Sequence, residues 1–326
     1  MSVVLAVDGG NSKTDLALVG EDGSLIAHAR GPHSSPHHLG LDGCLGVLQQ
    51  LVNESGLGDR RAEIAQVLLA GVDFPEEEER LQAALAERGW ASRVRVGNDT
   101  FAVLRAGTES GWGVAITCGA GINCVGVAPD GRQVRFPALG DITGDWGGGY
   151  DVGLSALWHA ARSEDGRGPK SALEQLVPAF FGYRSPLEVA YAMHVGDLER
   201  RRVVELAPLV LESDDPLAVE IVERLVGEIV ALARAVTTRL RLTGERVEVV
   251  LGGGLMRAAD EGLLGRIEQG LAGVGAGLVM RRTSEPPVVG AALLGLDELG
   301  AGLEAQERLR TELRAAVERL ETTEVG

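Results

Sequence analysis

A chain of 326 residues with 45% apolar and 24% charged residues exceeds the size of one hydrophobic core and is too apolar for disorder, so two folded domains are expected. A formal net charge of −16 opposes phosphate backbones and anionic lipid surfaces, which excludes nucleic acid and membrane as expected partners. Cys44, Cys118 and Cys124 are too sparse for a secreted disulfide framework and suit a reducing, cytoplasmic compartment.

The start MSVVLAVDGG has no basic segment ahead of its apolar run, so it reads as neither signal peptide nor membrane span. Residues 3–7 have the character of a strand, followed by the glycine turn DGGNSKT, a strand over 15–19, the turn EDG and a strand over 24–29. Helical spacing follows at 41–54 and 76–90, with a buried strand at 65–70 between them and a short strand at 94–96 after them. The meander then recurs: strand 113–118, turn GAG, strand 123–128, turn PDG, strand 132–136. Matching turns in the same order predict duplicated α/β domains. Helices are expected at 150–161, 172–180, 186–194, 203–212 and 216–243, then a strand at 247–251 running into GGGL. The apolar helix 287–299 and a charged helix over 302–321, expected to be exposed with pairs such as Glu304–Arg308 and Glu307–Arg310, complete the chain.

Glycine turns at strand ends let backbone amides approach a polyphosphate closely. Three are present: Gly9, Gly10, Asn11, Ser12, Lys13 and Thr14; Gly119, Ala120, Gly121 and Asn123; and Gly252, Gly253 and Gly254. Neither a Walker motif nor a GxGxxG turn opening a helix occurs. Asp8 stands where a carboxylate can hold a hydrated magnesium ion, or cap the turn. Asp99, between a strand and a helix, fits either a helix cap or a general base for an attacking hydroxyl. The glycine-dense run 136–153 with Asp141, Asp145 and Asp151 predicts close approach of a ligand or another backbone. Cys118 and Cys124 make an incomplete metal set and are read as buried thiols. His33, His37 and His38 read as a polar loop rather than a metal site.

Together and in order, VDGGNSKTDLAL, GNDTFAVLRAG, AITCGAGINCVGVAPDG, GDITGDWGGG, VVLGGGL and PPVVGAALLGL resemble the N-acetylglucosamine kinase-like branch of the BadF/BadG/BcrA/BcrD ATPase family, within the actin-like ATPase (ASKHA) superfamily. The resemblance implies an α/β fold of two ribonuclease-H-like domains flanking a nucleotide cleft, over 1–107 plus 287–300 and over 108–286, with a terminal helix at 301–326. It implies ATP and magnesium as cofactors, ATP on the first two glycine turns, adenosine at Gly252–Gly254 and Asp8 behind the metal. Asp99 would be the base, and Ser34, Ser35, Asn98, Gly140 and Asp145 would join it around a sugar, phosphorylated on its 6-hydroxyl. A homodimer is the family expectation. GAGI stands where related kinases carry GTGS, Ser34-Ser35-Pro36 where they often place asparagine, and ALGD where some have GGWG. Two other readings accompany the kinase: a nucleotide- and sugar-binding regulator without catalysis, and an iron-sulfur ATPase that activates a dehydratase.

Overall fold

The computed structural model describes residues 2–58, 60–242, 244–275 and 277–324. Met1, Thr243 and Gly326, at which three of the sequence expectations begin or end, lie outside them. The chain forms two compact units, Met1–Ala115 with Pro129–Gly131 and Thr283–Gly326, and Ile116–Ala128 with Arg132–Arg282.

In the first unit β1 (Val3–Gly9), β2 (Lys13–Gly20) and β3 (Leu25–Pro32) pair antiparallel as the expected meander. After α1 (Pro36–Glu54), β4 (Ala62–Leu69) lies parallel to β1, and after α2 (Pro75–Ala86), β5 (Ala91–Asn98) lies parallel to β4. The strand order is β3-β2-β1-β4-β5, and α3 (Thr100–Gly107) leaves from the end of β5. Successive side chains point to opposite faces. Leu5 and Val7 therefore join Leu48 and Leu51 of α1 and Leu81 and Leu85 of α2 in one core, while Val4 and Ala6 face another.

The second unit repeats the plan. β6 (Gly113–Cys118), β7 (Ile122–Val127), β8 (Gln133–Arg135), β9 (Val247–Gly252) and β10 (Leu278–Arg282) take the order β10-β9-β6-β7-β8. Position for position this matches the first sheet, with β10 in the place of β5. Between β8 and β9 run α4 (Gly148–Glu164), α5 (Leu173–Phe181), α6 (Pro186–Val195), α7 (Ala207–Leu211) and α8 (Pro216–Leu240). The helix expected at 203–212 is corrected: Arg200–Leu206 is 3₁₀, and only Ala207–Leu211 is α-helical. A Cβ on Gly153 would lie 1.8 Å from the Val203 carbonyl oxygen, so α4 rests directly on that tight backbone. α9 (Gly254–Ala258) and α10 (Glu261–Ala272) precede β10.

The chain then returns to the first unit with α11 (Pro287–Leu299) and α12 (Leu303–Glu324). Val289, Leu293 and Leu296 of α11 and Leu309, Leu313 and Val317 of α12 fill the second core with Val4, Ala6, Ala17 and Val19. The terminal helix is thus a structural layer with one buried stripe, not an exposed appendage. Its ion pairs differ from the expected ones: Arg308 binds Glu312 and Asp22, and Arg310 donates to the Ala106 carbonyl at 2.8 Å.

α11 approaches α3 through Gly290, where a Cβ would sit 1.9 Å from the Ala102 carbonyl oxygen. Gly290→Ala should lower stability by about 1–3 kcal/mol as the two helices part. Gly46→Ala, in α1 with open space around it, should leave stability equal or raise it by about 0.5–1 kcal/mol. Urea midpoints of the two variants test this, and equal losses would refute it.

Candidate active site

In a sheet with parallel strands, ligands gather at their carboxyl ends. The register of the first unit sets Gly9, Leu69 and Asn98 side by side, so β1, β4 and β5 end in one row. Asp8 lies half-buried at that end of β1, directly opposite Asp15 of β2. One hard carboxylate oxygen with room for water is the donor type that magnesium takes. The turn after β1 is closed by Gly10 N donating to the Lys13 carbonyl at 2.9 Å, leaving Asn11 and Ser12 exposed. Lys13 turns away toward α12, its Nζ 3.0 Å from Glu321 and 3.9 Å from Asp15. Thr14 is buried, and its hydroxyl donates to the Pro32 carbonyl while lying 2.8 Å from Ser34 Oγ, which therefore donates to it.

Ser34 and Ser35 are fully buried where α1 begins. A Cβ on Gly9 would meet Ser34 Oγ at 2.4 Å and one on Gly71 would meet Ser35 Oγ at 3.0 Å, which sets both hydroxyls against the ends of β1 and β4. Ser35 Oγ and the nearby His33 Nδ1 are buried without a hydrogen-bond partner. Such a group costs on the order of 1–3 kcal/mol unless water or a ligand satisfies it.

Asn98 is buried at the end of β5. Its Oδ1 accepts from Thr100 N at 2.9 Å and its Nδ2 donates to Asp73 Oδ1 at 2.8 Å. Asp99 takes the N-cap position of α3 without a side-chain capping bond; Asn98 makes that contact instead. Burial, and secondarily the charge of Asp73, push the Asp99 carboxyl up to about 7. Asp15, Asp73 and the His37–Glu77 pair at 3.2 Å were not anticipated from the sequence. The signal available for Asp73 was FPEEEERL: Glu77 accepts from Asp73 N and Phe74 N at 2.9 and 3.0 Å, a helix-start pattern that anchors the segment.

In the second unit the first turn of α4 sits on the glycine turn after β6. Gly149 N donates to Gly119 O at 2.8 Å and Tyr150 N to Ala120 O at 2.9 Å. Gly148, at φ +78, could carry no Cβ without meeting Gly121 backbone at 2.5 Å. A Cβ on Gly253, at φ +91, would likewise lie 2.4 Å from the Cys118 carbonyl oxygen, so Gly252–Gly254 and Gly119–Gly121 adjoin. Asn123 Oδ1 accepts from Cys124 N at 2.7 Å. Asp145 folds back on its own loop, accepting from Leu139 N at 3.1 Å and from Thr143 Oγ1, and its backbone N donates to Gly140 O. Asp151, raised by burial, accepts from Gly147 N at 2.9 Å, and the Arg224 guanidinium stacks 4.1 Å over Trp146. Burial pushes the Cys118 thiol up to about 12 and raises Cys124 too, which makes both poor thiolate ligands. Among the described residues no His/Cys/Asp/Glu group of three could hold a metal ion, and no helix is long and apolar enough to cross a membrane.

Residues 5–295 match the BadF/BadG/BcrA/BcrD ATPase family. An N-acetylmuramic acid/N-acetylglucosamine kinase of Clostridium acetobutylicum is 26% identical over 264 residues, 78% of this chain and 86% of that protein. An N-acetyl-D-glucosamine kinase of Dictyostelium discoideum is 27% identical over 188 residues, 54% of this chain and 59% of that one. The crystal structure of a candidate N-acetylglucosamine kinase from Chromobacterium violaceum superposes with a TM-score of 0.67 at 24% identity, over 90% of this chain and 99% of that one.

Asp99 can be tested without any substrate. Its ordinary pKa is 3.8 and its folded value about 7, so between these the folded state holds a proton that the unfolded chain has lost. Stability contributed by that proton falls as pH rises through the window, and above it the fold carries a desolvated charge. Asp99→Asn should therefore gain stability over the parent as pH rises from about 4 to 7, with the gain level above that. Urea midpoints of both proteins at several pH values measure it, and a gap independent of pH would mean that Asp99 ionises as an ordinary carboxylate.

Proposed function

The chain belongs to the BadF/BadG/BcrA/BcrD ATPase family, and from that membership we propose that it is an ATP-dependent kinase acting on a sugar or amino sugar of N-acetylglucosamine or glucosamine type. The observation that carries the reading is Asp99, a carboxyl raised to about 7 at the end of β5, next to buried Asn98 and in the same unit as the unsatisfied hydroxyl of Ser35. A base with its proton affinity near the working pH is what removal of a hydroxyl proton requires. The names of the two curated relatives supply the sugar class.

In this reading Asp99 accepts the proton of the sugar 6-hydroxyl as that oxygen bonds to the γ-phosphorus, the bond to the β-phosphate oxygen breaks, and ADP leaves. Ser34, Ser35, Asn98, Gly140 and Asp145 bind the sugar. Gly9, Gly10, Asn11, Ser12, Lys13, Thr14, Gly119, Ala120, Gly121 and Asn123 form the phosphate turns, and Gly252, Gly253 and Gly254 meet adenosine. Backbone amides of the glycine turns offset developing phosphate charge without rearranging. Thr14 serves from behind, because its hydroxyl is committed to Pro32 and Ser34. Lys13 must leave Glu321 to reach a phosphate, at small cost because an exposed pair contributes about 0–1 kcal/mol. Asp8 would hold magnesium, which when bound neutralises polyphosphate charge. A cytoplasmic homodimer accompanies this reading.

Purified protein with magnesium-ATP should release ADP above a sugar-free blank with N-acetylglucosamine, glucosamine or an N-acetylmuramic sugar. Asp99→Asn should lower that turnover roughly 100-fold to 10,000-fold with an unchanged circular dichroism spectrum. Parental turnover in the variant would overturn the assignment of the base.

A further inference from the structure

We infer that Asp73 is a positioning residue for the reaction, fixing the Asn98 amide and the start of α3 that carries Asp99; this rests on the reading of Asp99 as the base. Asp73 follows β4 and Asp99 follows β5, on neighbouring strands that end in the same row. Only 6% of Asp73 is exposed, although an isolated buried carboxylate is costly. Its placement is built: Glu77 Oε2 accepts from Asp73 N at 2.9 Å, and Asn98 Nδ2 donates to Asp73 Oδ1 at 2.8 Å. Because Asn98 Oδ1 accepts from Thr100 N at 2.9 Å, the amide cannot flip without placing its oxygen against a carboxylate and its NH₂ against an N–H. Asp73 therefore determines which way Asn98 points and where α3, with Asp99 at its head, begins.

The same placement acts through charge. The charged group that acts on Asp99 is Asp73; Glu78 of α2 lies by Gly97, two residues back on β5, and His37 of α1 is bound to Glu77. The nearest arginines on β5 and α3 are engaged elsewhere, Arg95 with Glu298 and Arg105 with Asp297 of α11. A like charge nearby opposes ionisation and raises proton affinity.

The pH dependence of kcat with a saturating accepted sugar, for the parent and Asp73→Asn, tests the inference. The acidic limb should move down by about one pH unit and the plateau should fall roughly threefold to tenfold, because a weaker base removes the proton less readily. Asp73→Glu should restore most of the limb. A merely structural defect would lower kcat equally at every pH, so an unmoved limb overturns the inference. Should Asp73→Asn fail to fold, Asp73→Ser, which keeps an acceptor for Asn98, gives the same readout. An unmoved limb together with a dead Asp99→Asn overturns this inference alone, whereas full turnover in Asp99→Asn removes the base and this inference with it.

Discussion

The parallel placement of β4 between β1 and β5 is the constraint on which the rest of the first unit depends. A parallel ladder forces each strand to return by a crossover on a sheet face, and α1 and α2 are those crossovers, supplying the core that holds Leu5 and Val7. It also makes all three strands finish at the same edge, with Gly9, Leu69 and Asn98 in one row. Every polar residue that follows a strand there is delivered to one place: Asp8 by β1, Asp73 by the segment after β4, and Asn98 and Asp99 by β5. Ser34 and Ser35, which follow the antiparallel β3, reach it only because Gly9 and Gly71 have no side chains. The site follows from strand polarity, and the helices fix that polarity.

Glycine sets how closely the layers approach. Gly290 and Gly295 let α11 rest on the Ala102 carbonyl and on Val4, and Gly149 and Gly153 let α4 lie on the 3₁₀ backbone at 203–204. Gly149 and Gly153, four apart, form a smooth strip on one face of α4, whereas Gly290 and Gly295, five apart, open α11 to two different neighbours, α3 and β1. The same device in the turns, at Gly148 and Gly253, brings backbone rather than side chains against Gly121 and Cys118. A glycine-dense run therefore marks both helix packing and the candidate phosphate turns, and composition alone does not separate the two uses.

Much of this was legible in the sequence. Period-two alternation and the turns DGGNSKT, EDG, GAG and PDG marked both meanders, and the apolar run over 287–299 marked α11. Where patterning is short or shared, the reading broke down. β10 is five residues, LVMRR, with no alternation, and only its seat beside β9 makes it a strand. The charges of α12 dominate its composition, yet Leu309, Leu313 and Val317 at intervals of four were enough to bury one face of it. Asp99 was visible because it stood between a strand and a helix. Asp73 was not, because its importance comes from Asn98, 25 residues away in sequence.

Asp15 and Asp99 show why residue type alone could not rank the acids. Burial raises both. At Asp15 the hydrogen bonds from His28 at 2.9 Å and Arg30 at 2.8 Å outweigh burial, and its carboxyl is held below the ordinary value. At Asp99 no cation performs that role and Asp73 adds to the effect. An aspartate that is buried and paired with cations is a fastener, here joining β2 to β3, and a proton transfer there would break the fold it supports. An aspartate that is desolvated and short of cations holds its proton to higher pH, as at Asp99, whose side chain is only partly buried. That difference separates the two acids: Asp15 holds β2 and β3 together through His28 and Arg30, and Asp99 has no such cation among the groups that shift it.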